Sequence, residues 1–459
     1  MAFSGVVDNK GKDETKGACA HEGARSALSR YRWRICGLLF FITTLNYMDR
    51  QVLGVLAPEL QRAIGWNEIQ YGNIITAFTA AYAAGLLLAG RFIDRVGTRV
   101  GYAAAIALWS FATMGHALAR TVIAFAVARF ALGLAESANF PAAIKTIAEW
   151  FPRKERALAT GIFNSGANIG AIVAPVAAPW IAVNLGWQWA FVFMGGVSAL
   201  WMLPWLSIYR RPEDHPRVSS AELAYIQSDP PEPAANVPWS RLLPLRQTWA
   251  LVAAKFLTDP IWWFFLYWLP KFFHTKYGLT LTELGWPLVF VYSMSTVGSI
   301  GGGWLPARFL KAGWSLNRAR KTAMLICALA VAPIVVGATA GHLWLAVVLV
   351  GLATAAHQGW SANLYTMASD LFPKRAVASV VGIAGFGGSI GGMLIATFTG
   401  FVLQITGSYV LLFVIAGSAY LAAFLIIQMM VPRMEPAKLA LDEEGMDGLG
   451  PASDSQGNR

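Results

Sequence analysis

Apolar stretches of roughly 20 residues, enough to cross one bilayer as a helix, alternate with short polar loops along most of the chain. Twelve can be read, centred near residues 45, 80, 108, 132, 170, 196, 262, 293, 328, 354, 390 and 418. They fall into two groups of six. Between them lies a connector, residues 209–247, containing Arg210-Arg211-Pro212-Glu213-Asp214 and Asp229-Pro230-Pro231-Glu232-Pro233. Its proline density fits a linker with short surface helices. The pattern predicts an all-α membrane protein of twelve transmembrane helices, with six-helix bundles at residues 31–208 and 248–432. The tails, residues 1–30 and 433–459, are expected to be disordered and cytoplasmic. Residues 1–30 lack the compact apolar core of a cleavable signal peptide.

The two halves repeat. Phe151-Pro152-Arg153-Lys154, Gly161-Ile162, Gly166 and Ile169-Gly170 recur 221 positions later as Phe372-Pro373-Lys374-Arg375, Gly382-Ile383, Gly387 and Ile390-Gly391. A constant offset over several features predicts two pseudo-symmetric bundles, the design of transporters whose halves rock about a midplane site. The same offset carries Glu136 onto His357. The glycine runs have no phosphate-cradling context and read as faces where helices pack closely.

Composition agrees: 56% of the 459 residues are hydrophobic and 13% charged, against about 25% charged in a typical soluble domain. The net charge of +11 does not imply nucleic acid, because the basic residues sit in short loops rather than on one face. They collect on one side, at Arg30, Arg32 and Arg34, Arg91, Arg95 and Arg99, Arg153, Lys154 and Arg156, and Arg308, Lys311, Arg318, Arg320 and Lys321. That side is therefore expected to be cytoplasmic, with both termini inside. Three scattered cysteines make no disulfide framework, and no metal-ligand spacing or catalytic triad is found.

Asp49 and Arg50 lie in the middle of the first apolar segment. A charge at that depth costs at least ~2.5–3.5 kcal/mol, so charges there mark a functional site by default. Arg carries a planar fork matched to a carboxylate. Tyr47, one turn earlier, can share its face and offer a hydroxyl to a sugar. Asp49 points about 100° away, toward neighbouring helices. Arg129 and Glu136 stand two turns apart on one face of the fourth segment and could balance the first-segment charges, either as a structural ion-pair network or as part of coupling. Between the second and third segments runs Gly90-Arg91-Phe92-Ile93-Asp94-Arg95-Val96-Gly97-Thr98-Arg99. A positive-inside loop explains its arginines, but not an acid flanked by glycines. Gly90, Asp94, Arg95, Gly97 and Arg99 are expected to gate conformation.

That loop resembles the cytoplasmic signature of the major facilitator superfamily. Asn46-Tyr47-Met48-Asp49-Arg50, Tyr82, Arg129, Gly133 to Asn139 with Glu136, and Phe163 to Gly170 resemble its anion:cation symporter branch. Phe256-Leu257-Thr258-Asp259-Pro260-Ile261-Trp262, Gly302-Gly303-Trp304-Leu305-Pro306 and Ala356-His357-Gln358 are similar to bacterial hexuronate transporters. The resemblance covers nearly all of residues 30–432. It implies the major facilitator fold, a substrate carboxylate on Arg50, and proton coupling through Asp49 and Glu136.

The remaining candidates have bland readings beside functional ones. His357 is either a hydrogen-bonded core residue or, with Gln358, cavity wall; its symmetry with Glu136 favours the wall. Of Trp262 and Trp263, one is expected to line the cavity, and Trp262 is named for it. Asn164, Asn168 and Asn363 suit sugar hydroxyls, the alternative being interhelical hydrogen bonds. Lys255 and Asp259, at i and i+4, are expected to pair. The expectation is a monomeric, proton-coupled symporter of a small anionic sugar acid such as glucuronate or galacturonate in a bacterial inner membrane, in contact with lipid and needing no cofactor beyond the proton. A transporter of another organic anion (aldonate, glucarate, tartrate or an aromatic acid) is the rival. A cation-exporting antiporter, a membrane-embedded enzyme and a nutrient sensor fit less well.

Overall fold

The computed structural model describes residues 30–228 and 237–437, without the side chains of residues 153, 154, 157, 374, 375 and 378. The tails expected to be disordered, apart from their innermost residues, and connector residues 229–236 lie outside the described residues. The N-terminal bundle comprises α1 (Tyr31–Val55), α2 (Glu68–Val96), α3 (Thr98–Gly115), α4 (Val122–Trp150), α5 (Arg153–Leu185) and α6 (Trp187–Ile208). The C-terminal bundle comprises α7 (Arg246–Tyr277), α8 (Gly285–Lys311), α9 (Leu316–Gly337), α10 (Leu343–Leu371), α11 (Lys374–Thr406) and α12 (Val410–Met430). Among the described residues, nine of these helices are long and apolar enough to cross a membrane. The others are α1, which carries Arg32, Arg34, Asp49 and Arg50, α7, which carries Arg246, Lys255, Asp259 and Lys271, and the short α3.

The repeat seen in the sequence is a packing repeat. α1 lies along α5 and α7 along α11. Gly166 and Gly170 of α5 meet Phe40 and Thr44 of α1, while Gly387 and Gly391 of α11 meet Val252 and Phe256 of α7. These contacts relate α1 to α7 by an offset of 212 residues. The connector docks on the N-terminal bundle. Its helix Ser220–Ile226 places Glu222 to accept from the Tyr31 and Arg32 amides at 3.3 and 3.2 Å, supplying the anion that the start of α1 lacks. His215 packs on Tyr31 with ring centroids 4.3 Å apart, and burial holds its pKa below the ordinary value.

The bundles meet along α2–α11, α5–α8 and α1–α7. Among the described side chains, the hydrogen bonds joining them lie toward one end. Lys271 Nζ reaches both Glu68 oxygens at 2.6 Å, and the Glu68 amide donates to Gln404 at 3.1 Å. Tyr71 Oη donates to the Tyr267 carbonyl at 2.7 Å, and Thr76 pairs with Thr397 at 2.8 Å. At the other end the pairs among the described side chains stay within a bundle, as in Lys145–Asp94 and Arg320–Asp370. The molecule is therefore closed at the Glu68 end. Two glycines allow that closure: a Cβ on Gly72 would come 2.7 Å from the Ala396 carbonyl oxygen, and one on Gly400 2.5 Å from that of Glu68.

Gly72→Val is expected to wedge this seam open at an overpacking cost of about 1–3 kcal/mol. Spin labels on the exposed Ala63 and Thr406 should report a longer distance than in wild type; an unchanged distribution would show that the seam is not what holds this end closed.

Candidate functional site

Glu136 closes the first segment of α4, Val122–Glu136, just before the helix is interrupted. Gly133, one turn earlier, lets α4 lie against the Phe78 backbone of α2. This close approach brings the Glu136 carboxylate to Arg50. Arg50 Nε and Nη2 both reach Glu136 Oε2 at 2.9 Å, and Nη2 also donates to Asn46 Oδ1 at 3.4 Å. Around the guanidinium stand the rings of Tyr47 and Tyr82, centred 4.8 and 4.9 Å away, and those of Phe78 and Trp263 at 5.5 Å. Aromatic faces stabilise a desolvated cation. Both members of the ion pair are buried.

Asp49 points away from Arg50, as its helical position dictates, and accepts from Ser198 Oγ of α6 at 2.7 Å. Arg129 Nη2 donates to the Arg50 carbonyl at 3.3 Å, and its guanidinium lies 5.6 Å from the Phe78 ring centre. Arg129 is within electrostatic range of both Asp49 and Glu136. The result is two cations and two carboxylates in one buried cluster. Asp49 Oδ1, Glu136 Oε1 and two nitrogens of Arg129 are left without a hydrogen-bond partner. A fully structural network would be saturated; this one keeps open positions.

The other sequence candidates divide. Trp263 reaches Arg50, whereas Trp262 stacks on His357, centroids 5.2 Å apart and planes 5° from parallel. His357 Nδ1 shares a 2.5 Å hydrogen bond with Tyr420 Oη, while Gln358 beside it is half-buried. The 212-residue offset maps Arg50 onto Trp262, and the 221-residue offset maps Glu136 onto His357. The stack thus occupies in the C-terminal bundle the place of the ion pair in the N-terminal one. Asn363 donates to the Gly302 and Gly359 carbonyls at 2.7 and 2.9 Å, tying α10 to α8. Asn164 is exposed and Asn168 half-buried. Both share the α5 face of Pro175, which meets Gly285 of α8, so they line the seam between the bundles. Lys255 pairs with Asp259 at 2.8 Å. Phe78 and Ser198 were not anticipated, and of the two tryptophans the one beside Arg50 is Trp263 rather than the named Trp262. Ser198 had one signal, a hydroxyl residue in the middle of the apolar α6.

The loop between α2 and α3 turns at Gly97, whose φ of +87° suits glycine; Gly90 lies two turns before, within α2. Asp94 pairs with Lys145 of α4 at 2.6 Å yet stays 70% exposed. Arg95 is exposed. Arg99 donates to the Leu206 carbonyl, and Trp205 Nε1 donates back to the Arg99 carbonyl at 3.0 Å. The loop therefore fastens α2 and α3 to α4 and α6 at the end away from Glu68.

The Major Facilitator Superfamily profile matches residues 39–364 and 309–453, and the chain belongs to that family of membrane transporters. The hexuronate transporter of Escherichia coli (strain K12) is 34% identical over 86% of this chain and 93% of its own length. The galacturonate transporter of Dickeya chrysanthemi is 38% identical over 61% of this chain and 83% of its own. Among solved structures, a bacterial homologue of the human lysosomal transporter Spinster superposes with a TM-score of 0.69 at 18% identity, covering 89% of this chain and all of that one; the likeness is one of fold.

Neutralising one member of the buried cluster leaves another charge uncompensated, at a cost of about 3–5 kcal/mol. Asp49→Asn and Arg129→Met should each lower stability in detergent, and the double variant should lose less than the sum, by about 0.5–3 kcal/mol. Strict additivity in unfolding measurements would show that the two charges are not coupled.

Proposed function

We propose that this Major Facilitator Superfamily transporter takes up a hexuronate, glucuronate or galacturonate, together with protons across a bacterial inner membrane. One observation carries the reading: the fork of Arg50 is buried in an aromatic cage and held by a single carboxylate, Glu136. A sugar-acid carboxylate is the natural competitor for that fork. A proton on Glu136 weakens the internal pair and frees Arg50. Arrival of the anion in turn lowers the attraction that kept Glu136 ionised. Each event favours the other, as reciprocal linkage requires. The names of the two bacterial relatives support the substrate class.

Charge supports the coupling. Arg50 and Arg129 balance Asp49 and Glu136, so a bound monoanion adds an uncompensated charge unless a proton enters with it. Moving that anion toward a negative interior would oppose the potential by about 2.3 kcal/mol per 100 mV; one co-transported proton removes this cost. With the basic-rich face cytoplasmic, the closed Glu68 end faces outward and the described conformation is the one that releases to the cytoplasm. Asp49, bonded to Ser198, is the second proton candidate. Asp94 and its loop hold the N-terminal bundle together on the release side.

Proteoliposomes with an inward proton gradient should accumulate labelled glucuronate or galacturonate. Arg50→Ala should abolish uptake to below about one hundredth of wild type, as loss of a buried charge-assisted pair does. Glu136→Gln should lose accumulation but keep counterflow exchange. A folded wild-type protein that moves neither sugar acid would overturn the substrate class, and accumulation in Glu136→Gln would remove that residue from coupling.

A further inference from the structure

Gln51 follows Arg50 on α1 and is fully buried, yet neither its amide oxygen nor its nitrogen has a hydrogen-bond partner. Buried amides are otherwise nearly always satisfied, and an exception asks for an explanation. Its direction is fixed by its surroundings. Gly54, one turn on, abuts α7, where an added Cβ would stand 2.6 Å from the Leu266 carbonyl oxygen. The Gln51 amide lies beside the hydroxyl of Tyr292 on α8, which itself donates to the Phe265 carbonyl of α7 at 3.2 Å. Gln51 thus leaves the N-terminal bundle and points at the C-terminal one. The 212-residue offset maps it onto Trp263, which makes the reciprocal crossing to Arg50.

The face of α8 that receives it continues the theme. Tyr292 and Thr296 lie at i+7 and i+11 from Gly285, each within about 20° of it on a helix. Gly285 meets Pro175 of α5 at the closed end of the seam. Thr296 Oγ1 is a second buried polar atom without a partner. On α5, Asn168 and Asn164 stand 7 and 11 residues before Pro175, so they descend the same seam in step with Tyr292 and Thr296. Two helices that touch near one end therefore each carry polar groups on from that contact, and Gln51 stands beside them next to the Arg50 clamp.

The geometry points to a hydroxyl-recognition wall, Gln51, Tyr292 and Thr296 facing Asn168 and Asn164, that reads the ring hydroxyls of a sugar acid whose carboxylate is held by Arg50. The inference rests on the reading of Arg50 as the carboxylate clamp. A sugar ring presents hydroxyls that donate and accept, and an amide and two side-chain hydroxyls answer both roles. Leaving the Gln51 amide and the Thr296 hydroxyl unsatisfied in the free protein makes the site discriminate, because a ligand with a hydroxyl in the wrong place leaves them unsatisfied still.

Glucuronate and galacturonate differ in the configuration of one ring hydroxyl, which makes them suitable probes. Binding of each to the purified full-length protein would be measured by calorimetry for wild type, Gln51→Met and Thr296→Val, with the melting temperature of each ligand-free variant. Gln51→Met and Thr296→Val should each weaken binding by about five- to tenfold, one hydrogen bond's worth, and change the ratio of the two affinities. The ligand-free Tm should hold or rise, since an unsatisfied polar group is removed. Wild-type affinities for both epimers in both variants would overturn the wall. So would a lowered ligand-free Tm with both affinities falling in equal proportion, the signature of a structural role. Wild type binding neither epimer would instead remove the hexuronate reading, and this inference with it.

Discussion

Four charged side chains, Asp49, Arg50, Arg129 and Glu136, share one water-poor space inside the N-terminal bundle, and the arrangement of that half follows from having to compensate them. A lone charge at this depth is too costly to keep. Gly133 permits α4 to approach α2, the helix is interrupted just after Glu136, and Tyr47, Tyr82 and Phe78 turn their rings to Arg50. Compensation is incomplete by design: one oxygen of each acid has no partner. The cluster is neutral as a whole but unsaturated in its hydrogen bonds, so a proton or an anionic ligand changes its balance more than it would in a closed network.

The second half shows what happens when the same scaffold is relieved of that constraint. The offsets that superpose the halves put Trp262 and His357 where Arg50 and Glu136 stand, and a flat aromatic stack replaces the ion pair. Of the two ion pairs shown on α7, Lys255–Asp259 is satisfied within a single helix and Lys271–Glu68 belongs to the closed end. The buried charge cluster lies in one bundle and the Trp262–His357 stack in the other, with amides on both. A ligand with an anionic end and a polar ring suits a site divided in this way.

The long apolar helices, the two bundles and their repeat were legible because bilayer crossing imposes a length and an apolarity that composition cannot hide. Asp49 and Arg50 were legible because they violate that rule. Which of two adjacent tryptophans faces the cavity was not. α7 is apolar for most of its circumference, so no stripe marks its inner side, and a rotation of about 100° separates Trp262 from Trp263. The offset between α1 and α7 alone does not decide it, since it places Trp262 with Arg50 and Trp263 with Gln51; the approach of the Trp263 ring to Arg50 does. That offset differs from the 221 of α5 and α11 because the connecting loops differ in length. Asn363 is a divided case: its amide nitrogen donates to the carbonyls of Gly302 and Gly359, the interhelical alternative, while its Oδ1 is left without a partner.

The two ends of the molecule are held by different physics, which bears on how a small change at the site moves whole bundles. At the closed end, backbone meets backbone: Gly72 and Gly400 admit contacts that any Cβ would prevent, and Lys271 with Glu68 adds a charge-assisted clamp in partly buried surroundings. Such contacts are short-ranged and are lost together when the helices separate by an ångström or two. At the other end the ion pairs shown run within bundles, and Asp94 keeps most of its surface in solvent, so those groups survive a rigid rotation of one bundle against the other. α1 and α7 pass through both regions. Each carries a site residue across the seam, Gln51 in one direction and Trp263 in the other, a turn from the closed contacts at Gly54 and Tyr267. A ligand gripping both side chains pulls on the same two helices whose backbones form the seal. Occupancy of the site and the state of the seam thus act on one shared element, which is what allosteric coupling physically demands.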